Sequence, residues 1–187
     1  MRQPEEAPGD RSRIVGGVAI VAGLAFIAGE VLNRAKPDID FVACATQDAY
    51  LVNVIDLLKY GLIGIALLLL VRMLGLRLSR AGRIVGRFAG AGFIVAGVAN
   101  GIEHCAHLDP LGLVYVSGLL LGLLGAAAFG VLLVRSRALA AWVGWAISVG
   151  VLGFMGFAQE GGAFLIGIAL VAVGFHLMTI RPAPSTS

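Results

Sequence analysis

The chain has 187 residues, 59% of them apolar, and a mean hydropathy of +0.95. A water-soluble domain holds about 45–50% apolar residues, so this composition excludes a soluble globule. The net charge of +3 arises from arginines beside helix ends rather than from a basic face, which argues against nucleic-acid binding.

An apolar stretch of eighteen or more residues is long enough to cross a hydrocarbon core as a helix, and six such stretches follow one another. Residues 1–12 are polar, with Pro4, Pro8 and Gly9, and read as a disordered tail. The first span covers 13–33. It is too long for a signal-peptide core and lacks a small-x-small cleavage site, so it is expected to stay in place. A lipoprotein reading of Cys44 fails because the charged run Lys36-Pro37-Asp38-Ile39-Asp40 separates it from the apolar core. Residues 34–50 form the one sizeable loop. The remaining spans are expected at 50–74, 84–107, 110–134, 139–158 and 162–180. A short polar tail, 182–187, follows one six-helix domain over 13–181.

Arginine outnumbers lysine twelve to two, the bias of a GC-rich bacterial genome. Arg2, Arg11, Arg13, Arg72, Arg77, Arg80, Arg83, Arg87, Arg135, Arg137 and Arg181 all flank the same helix ends, whereas Arg34 and Lys36 flank the opposite ends. The positive-inside rule then places both termini in the cytoplasm of a bacterial inner membrane. Trp142 and Trp145 at the inner end of the fifth span fit an interfacial aromatic belt.

A faint internal echo accompanies this pattern. Arg13-Ile14-Val15-Gly16 and Arg83-Ile84-Val85-Gly86 open the first and third spans, Val143-Gly144 lies near the start of the fifth, and Glu30, Glu103 and Glu160 stand at their outer ends. Three helical hairpins in tandem would produce it, although Val, Gly and Ala are common enough here for short matches to arise by chance. Gly16, Ala19 and Gly23 line one helix face, and Gly118, Gly122 and Gly125 another. Such small-residue faces serve close packing inside a bundle or a homodimer contact, and intramolecular packing is the simpler expectation.

Chemistry concentrates at the acid-bearing end. Asn53, Asp56, Lys59 and Tyr60 share one side of the second span; Asn100, Glu103, His104 and His107 share a face of the third. Glu30 with Asn33, Tyr115, and Gln159 with Glu160 join the same layer. Ionisable residues within a membrane usually face the bundle interior, find partners and mark function. Asp56 and Lys59 at i and i+3 can neutralise each other, while an acid beside Glu30 or Glu103 would share a proton, one of the pair having a raised pKa.

The leading expectation is binding or transport of a small solute or proton. Glu30, Asp56 and Glu103 would hold charge, Lys59 would act as counter-ion, and Asn53, Asn100, His104 and Tyr115 would shape the pocket. One alternative is a membrane-embedded enzyme using a carboxylic acid on a lipid or isoprenoid substrate; another is a non-catalytic subunit or assembly factor.

Cys44 and Cys105, the only cysteines, fall on the outer side and are the candidate disulfide. A zinc site from Glu103, His104 and His107 lacks a second motif to complete four ligands, and no cofactor is expected. Paired-histidine haem ligation fails on depth, since His176 lies near the opposite end. Ser117 lacks the G-x-S-G pattern of rhomboid-like proteases and is separated from His176 by the same depth. His176 is expected to be interfacial.

Overall fold

The computed structural model describes residues 8–35, 47–106, 111–157 and 160–179, with side chains over 10–35, 50–102, 111–157 and 160–179. Helices α1 (Pro8–Ala35), α2 (Gln47–Leu74), α3 (Arg80–Ala106), α4 (Leu111–Ser136), α5 (Ala141–Gly156) and α6 (Gly162–Thr179) occupy nearly all of it, and no strand occurs among the described residues.

Local chemistry explains the boundaries. Proline is well suited to the first helical position because it has no N–H to leave unsatisfied, and α1 starts at Pro8, five residues before the start expected at 13. Asp10 in the first turn and Arg34 in the last complement the helix dipole. At the end of α2 a 3-10 turn, Gly75–Arg77, bends the chain, with Gly75 at φ +47°. Ser79 then caps α3, its Oγ accepting from Gly82 N–H at 3.0 Å. Arg83 Nη1 donates to Leu78 O at 2.8 Å across the same corner.

Five helices are long and apolar enough to cross a membrane: α1, α2, α3, α4 and α6. The fifth is shorter than the expected 139–158 span. Ala140 before it is extended and Phe157 closes it, and at 1.5 Å per residue its 16 residues reach about 24 Å. The bundle's exterior is apolar too: Leu113 is 78% exposed, Ile168 61% and Val149 60%. Water disfavours such a surface, whereas acyl chains suit it, so the exterior fits membrane insertion.

Each helix packs antiparallel on its chain neighbours, and α6 closes on α1, making a ring of six in chain order. Glycine brings several of the junctions close. A Cβ on Gly23 would fall 2.5 Å from Gly167 O, and one on Gly16 would fall 2.6 Å from Gly174 O. The same reciprocal contact joins Gly64 to Gly90 between α2 and α3, and Gly130 to Gly144 between α4 and α5. These are alternate junctions of the ring, the arrangement that three successive hairpins would generate. Between α3 and α4, Gly92 meets Gly118 and Gly122. Both small-residue faces noted in the sequence are thus occupied by neighbours within the chain. Without a Cβ the backbones approach far enough for dispersion and weak Cα–H···O contacts to replace a hydrophobic driving force that lipid cannot supply.

The arginine-side half of the bundle is filled by apolar side chains. Phe129, Leu133, Val143, Val173 and Leu177 are buried there. A void of about 30 Å³ on the axis is walled by residues such as Ala19, Leu67, Ala126, Ile147 and Leu170. Its lining offers a water no hydrogen-bond partners, so the space stays dry.

Candidate functional site

The acid-bearing end has the opposite character. In α2, the turn of about 100° per residue places Asn53, Asp56, Lys59 and Tyr60 within one sector of the helix, and Asn53, Lys59 and Tyr60 are buried. Lys59 Nζ lies 2.6 Å from Asp56 Oδ1, with side chains 9% and 22% exposed. The i,i+3 geometry makes an ion pair but not an aligned hydrogen bond, so Asp56 Oδ1 has no hydrogen-bond partner.

The ammonium also sits against aromatic faces, 5.0 Å from the Tyr60 ring centre and 5.8 Å from that of Phe26. Ring quadrupoles attract a cation most strongly where water is excluded. Gly29 of α1 faces this side chain: a Cβ there would come 3.3 Å from Ile55 Cγ2 and 4.0 Å from Lys59 Nζ.

Tyr60 anchors an aromatic cluster that ties five helices together. It stacks on Phe93 of α3 at 6.5 Å, meets Phe26 edge-on at 5.8 Å, and meets Tyr115 of α4 at 6.2 Å. Phe26 in turn meets Phe154 of α5 at 5.7 Å. The Tyr60 and Tyr115 hydroxyls hydrogen-bond to each other, which satisfies polar atoms that would be costly to leave bare in an apolar interior.

From α3, Asn100 enters the same layer. Leu57 lies against Gly101, so in these antiparallel helices Asn100, one residue deeper than Gly101, stands level with the stretch between Asp56 and Lys59. Asn100 is 3% exposed and its Nδ2 has no partner. Orphaned buried amides are uncommon because each forgoes its hydrogen bonds with water. An unpartnered amide donor therefore occurs at the level of the Asp56–Lys59 ion pair.

Glu30 is buried and accepts from Arg34 Nε at 2.8 Å, four residues along α1. Arg34 also lies over the Phe164 ring at 5.7 Å and beside Gly161, fastening α1 to the turn before α6. Glu30 and Asp56 thus each face a cation on their own helix, a different arrangement from two acids sharing a proton. Asn33 and Glu160 are exposed.

Of the residues expected in the pocket, the structure brings Asn53, Asp56, Lys59, Asn100 and Tyr115 into the layer, with Glu30 at its α1 edge. Glu103, His104 and Cys105 belong to α3, but their side chains, like Cys44, Gln159 and His107, lie outside the described residues. The proposed disulfide and the zinc ligands fall there with them. Among the described residues no three His, Cys, Asp or Glu side chains gather as a metal site would.

Phe26, Phe93 and Phe154 were not singled out as site residues from the sequence. Their one signal is an aromatic in the acid-side half of each odd-numbered helix. Ser117 is exposed. His176 packs edge-on against Trp142 at 5.0 Å, at the arginine-rich end with the start of α5.

The fold and this layer define a class: an all-helical apolar bundle, suited to a membrane, with a layer of buried polar and aromatic side chains at one end. Compared with protein-family models, curated proteins and solved structures, the chain matches none.

Proposed function

We propose that the chain is a six-span membrane protein, both termini cytoplasmic, that binds and carries a small polar solute or proton through an outward-facing chamber. The observation that carries this reading is the Asp56–Lys59 pair, with Lys59 buried and Asp56 partly buried in a membrane-length helix, at the level of the unpartnered Asn100 amide. Stability alone gives no reason to bury an ion pair, since apolar replacements are often as stable, and ionisable residues at membrane depth are functional candidates.

In this reading Lys59 balances Asp56, Asn53, Asn100 and Tyr115 shape the chamber, and Glu30 with Glu103 holds charge at its mouth. The dry arginine-side half supports alternating access rather than an open pore, because a carrier seals one side while its site faces the other. At 16 residues, α5 completes a sixth span by local thinning of the bilayer, at a modest cost. The groove of about 520 Å³ between α5 and α6 opens sideways, but its lining is apolar. It brings no acid to a lipid, so it does not favour the enzyme reading.

Proteoliposomes with an imposed pH gradient and an internal pH dye provide the test. Wild-type vesicles are expected to dissipate the gradient faster than protein-free ones, and the charge-neutral variant Asp56→Asn/Lys59→Met to lose that excess while remaining folded. A folded double variant with wild-type flux, or wild-type vesicles no faster than empty ones, refutes proton transport through this pair.

A further inference from the structure

At the arginine-rich end, far from the chamber, α1 and α2 part to leave a cleft of about 180 Å³. It is lined by Arg11, Ile14 and Val15 from α1 and by Leu69, Arg72 and Met73 from α2. The two helices run in opposite directions, yet they order their side chains alike. Ile14 and Val15 lie one turn deeper than Arg11, and Leu69 lies one turn deeper than Arg72. Each helix therefore presents a guanidinium at the rim and an aliphatic wall below it. Both arginines are exposed, and Arg11 also stands in the first turns of α1, where the helix dipole favours an anion.

We infer that this cleft is a binding site for an anionic phospholipid, with the headgroup phosphate between Arg11 and Arg72 and one acyl chain along Ile14 and Leu69. Guanidinium groups match phosphate oxygens in bidentate geometry, and basic pockets between membrane helices at the headgroup level recruit anionic lipids. Free phosphate would use the rim but gain nothing from the aliphatic wall. The assignment is independent of what the opposite chamber binds.

The test is the thermal midpoint of the detergent-solubilised protein, titrated with phosphatidylglycerol, phosphatidylcholine or inorganic phosphate. Phosphatidylglycerol is expected to raise the midpoint saturably, and the other two are not. Arg11→Gln and Arg72→Gln each weaken the apparent affinity roughly fivefold, and together roughly 25-fold, the ratio corresponding to about 1 kcal/mol per cation. Ile14→Trp, which keeps both cations but fills the cleft, abolishes the response. Arg80→Gln, at the same end but outside the cleft, leaves it intact. The inference is overturned by equal responses to the two lipids, by inorganic phosphate reproducing the shift, by Ile14→Trp retaining the response, or by Arg80→Gln weakening it as much as Arg72→Gln does.

Discussion

Replacing Lys59 by Met separates the energetic role of the buried pair from its chemistry. At 2.6 Å and an effective dielectric of about 20, the gross attraction between unit charges is about 6 kcal/mol. Much of that is cancelled by the desolvation of both groups, whose side chains are only 9% and 22% exposed. Removing the ammonium leaves the Asp56 carboxylate without its counter-charge and with Oδ1 still lacking a hydrogen bond. The cost of breaking such a pair is 3–5 kcal/mol by analogy with buried pairs in soluble proteins, about the cost of one charge at mid-membrane. Lys59→Met should therefore destabilise by about 3 kcal/mol. Asp56→Asn should do likewise through the stranded ammonium, which retains only its contacts with Phe26 and Tyr60. The double variant Asp56→Asn/Lys59→Met should return to within about 1 kcal/mol of wild type, because neither charge remains to be compensated. Equilibrium unfolding in mixed micelles, followed by circular dichroism, measures all four corners of the cycle. If Lys59→Met lies within about 0.5 kcal/mol of wild type, or the double variant is no better than the worse single, the pair is not the coupled unit described above.

Other substitutions test the surrounding frame. Gly23→Leu should separate α1 from α6, because even its Cβ would fall 2.5 Å from Gly167 O and 2.8 Å from Val171 Cγ2; a loss of about 3 kcal/mol is expected on unfolding, and a neutral result would mean the helices are not in contact there. Gly161→Ala should cost roughly 1–3 kcal/mol, since Gly161 has φ +108° and its Cβ would meet Arg34 at 2.8 Å; the thermal midpoint reads this, and an unchanged midpoint would contradict the turn geometry. Ser148→Ala removes the 2.8 Å bond from Ser148 Oγ to Ala127 O between α5 and α4, and should cost only about 0.6 kcal/mol, as interhelical bonds in membranes average. A loss above about 2 kcal/mol would show that this bond fastens the ring more firmly than a single hydrogen bond does.

The helices themselves are legible without coordinates. Runs of eighteen or more apolar residues can satisfy their backbones in lipid only as helices, and α2, α4 and α6 lie close to their expected bounds. Proline and glycine chemistry moved the ends, as at Pro8 and Gly75. The short α5 escaped because an apolar run does not reveal where extended Ala140 and the turn at Phe157 cut the helix. The Asp56–Lys59 pair was equally legible, since i and i+3 face each other on any helix. What surrounds that pair was not: Phe26 is 33 residues from Lys59 and Phe154 is 128 from Phe26, and their meeting depends on how each helix is rotated about its axis.

By itself, then, the sequence determined composition-level facts: helices apolar on all sides, and arginines gathered at one end with acids and amides at the other. These follow from local rules, in which each residue's preference for lipid, headgroup or water acts independently of its distant neighbours. The tertiary structure alone decided that α6 closes on α1, which glycine meets which carbonyl, and that Lys59 lies against Phe26 and Tyr60. A glycine records that something approaches closely without saying what. Partner identity comes from packing six helices together at once, and no single segment encodes it.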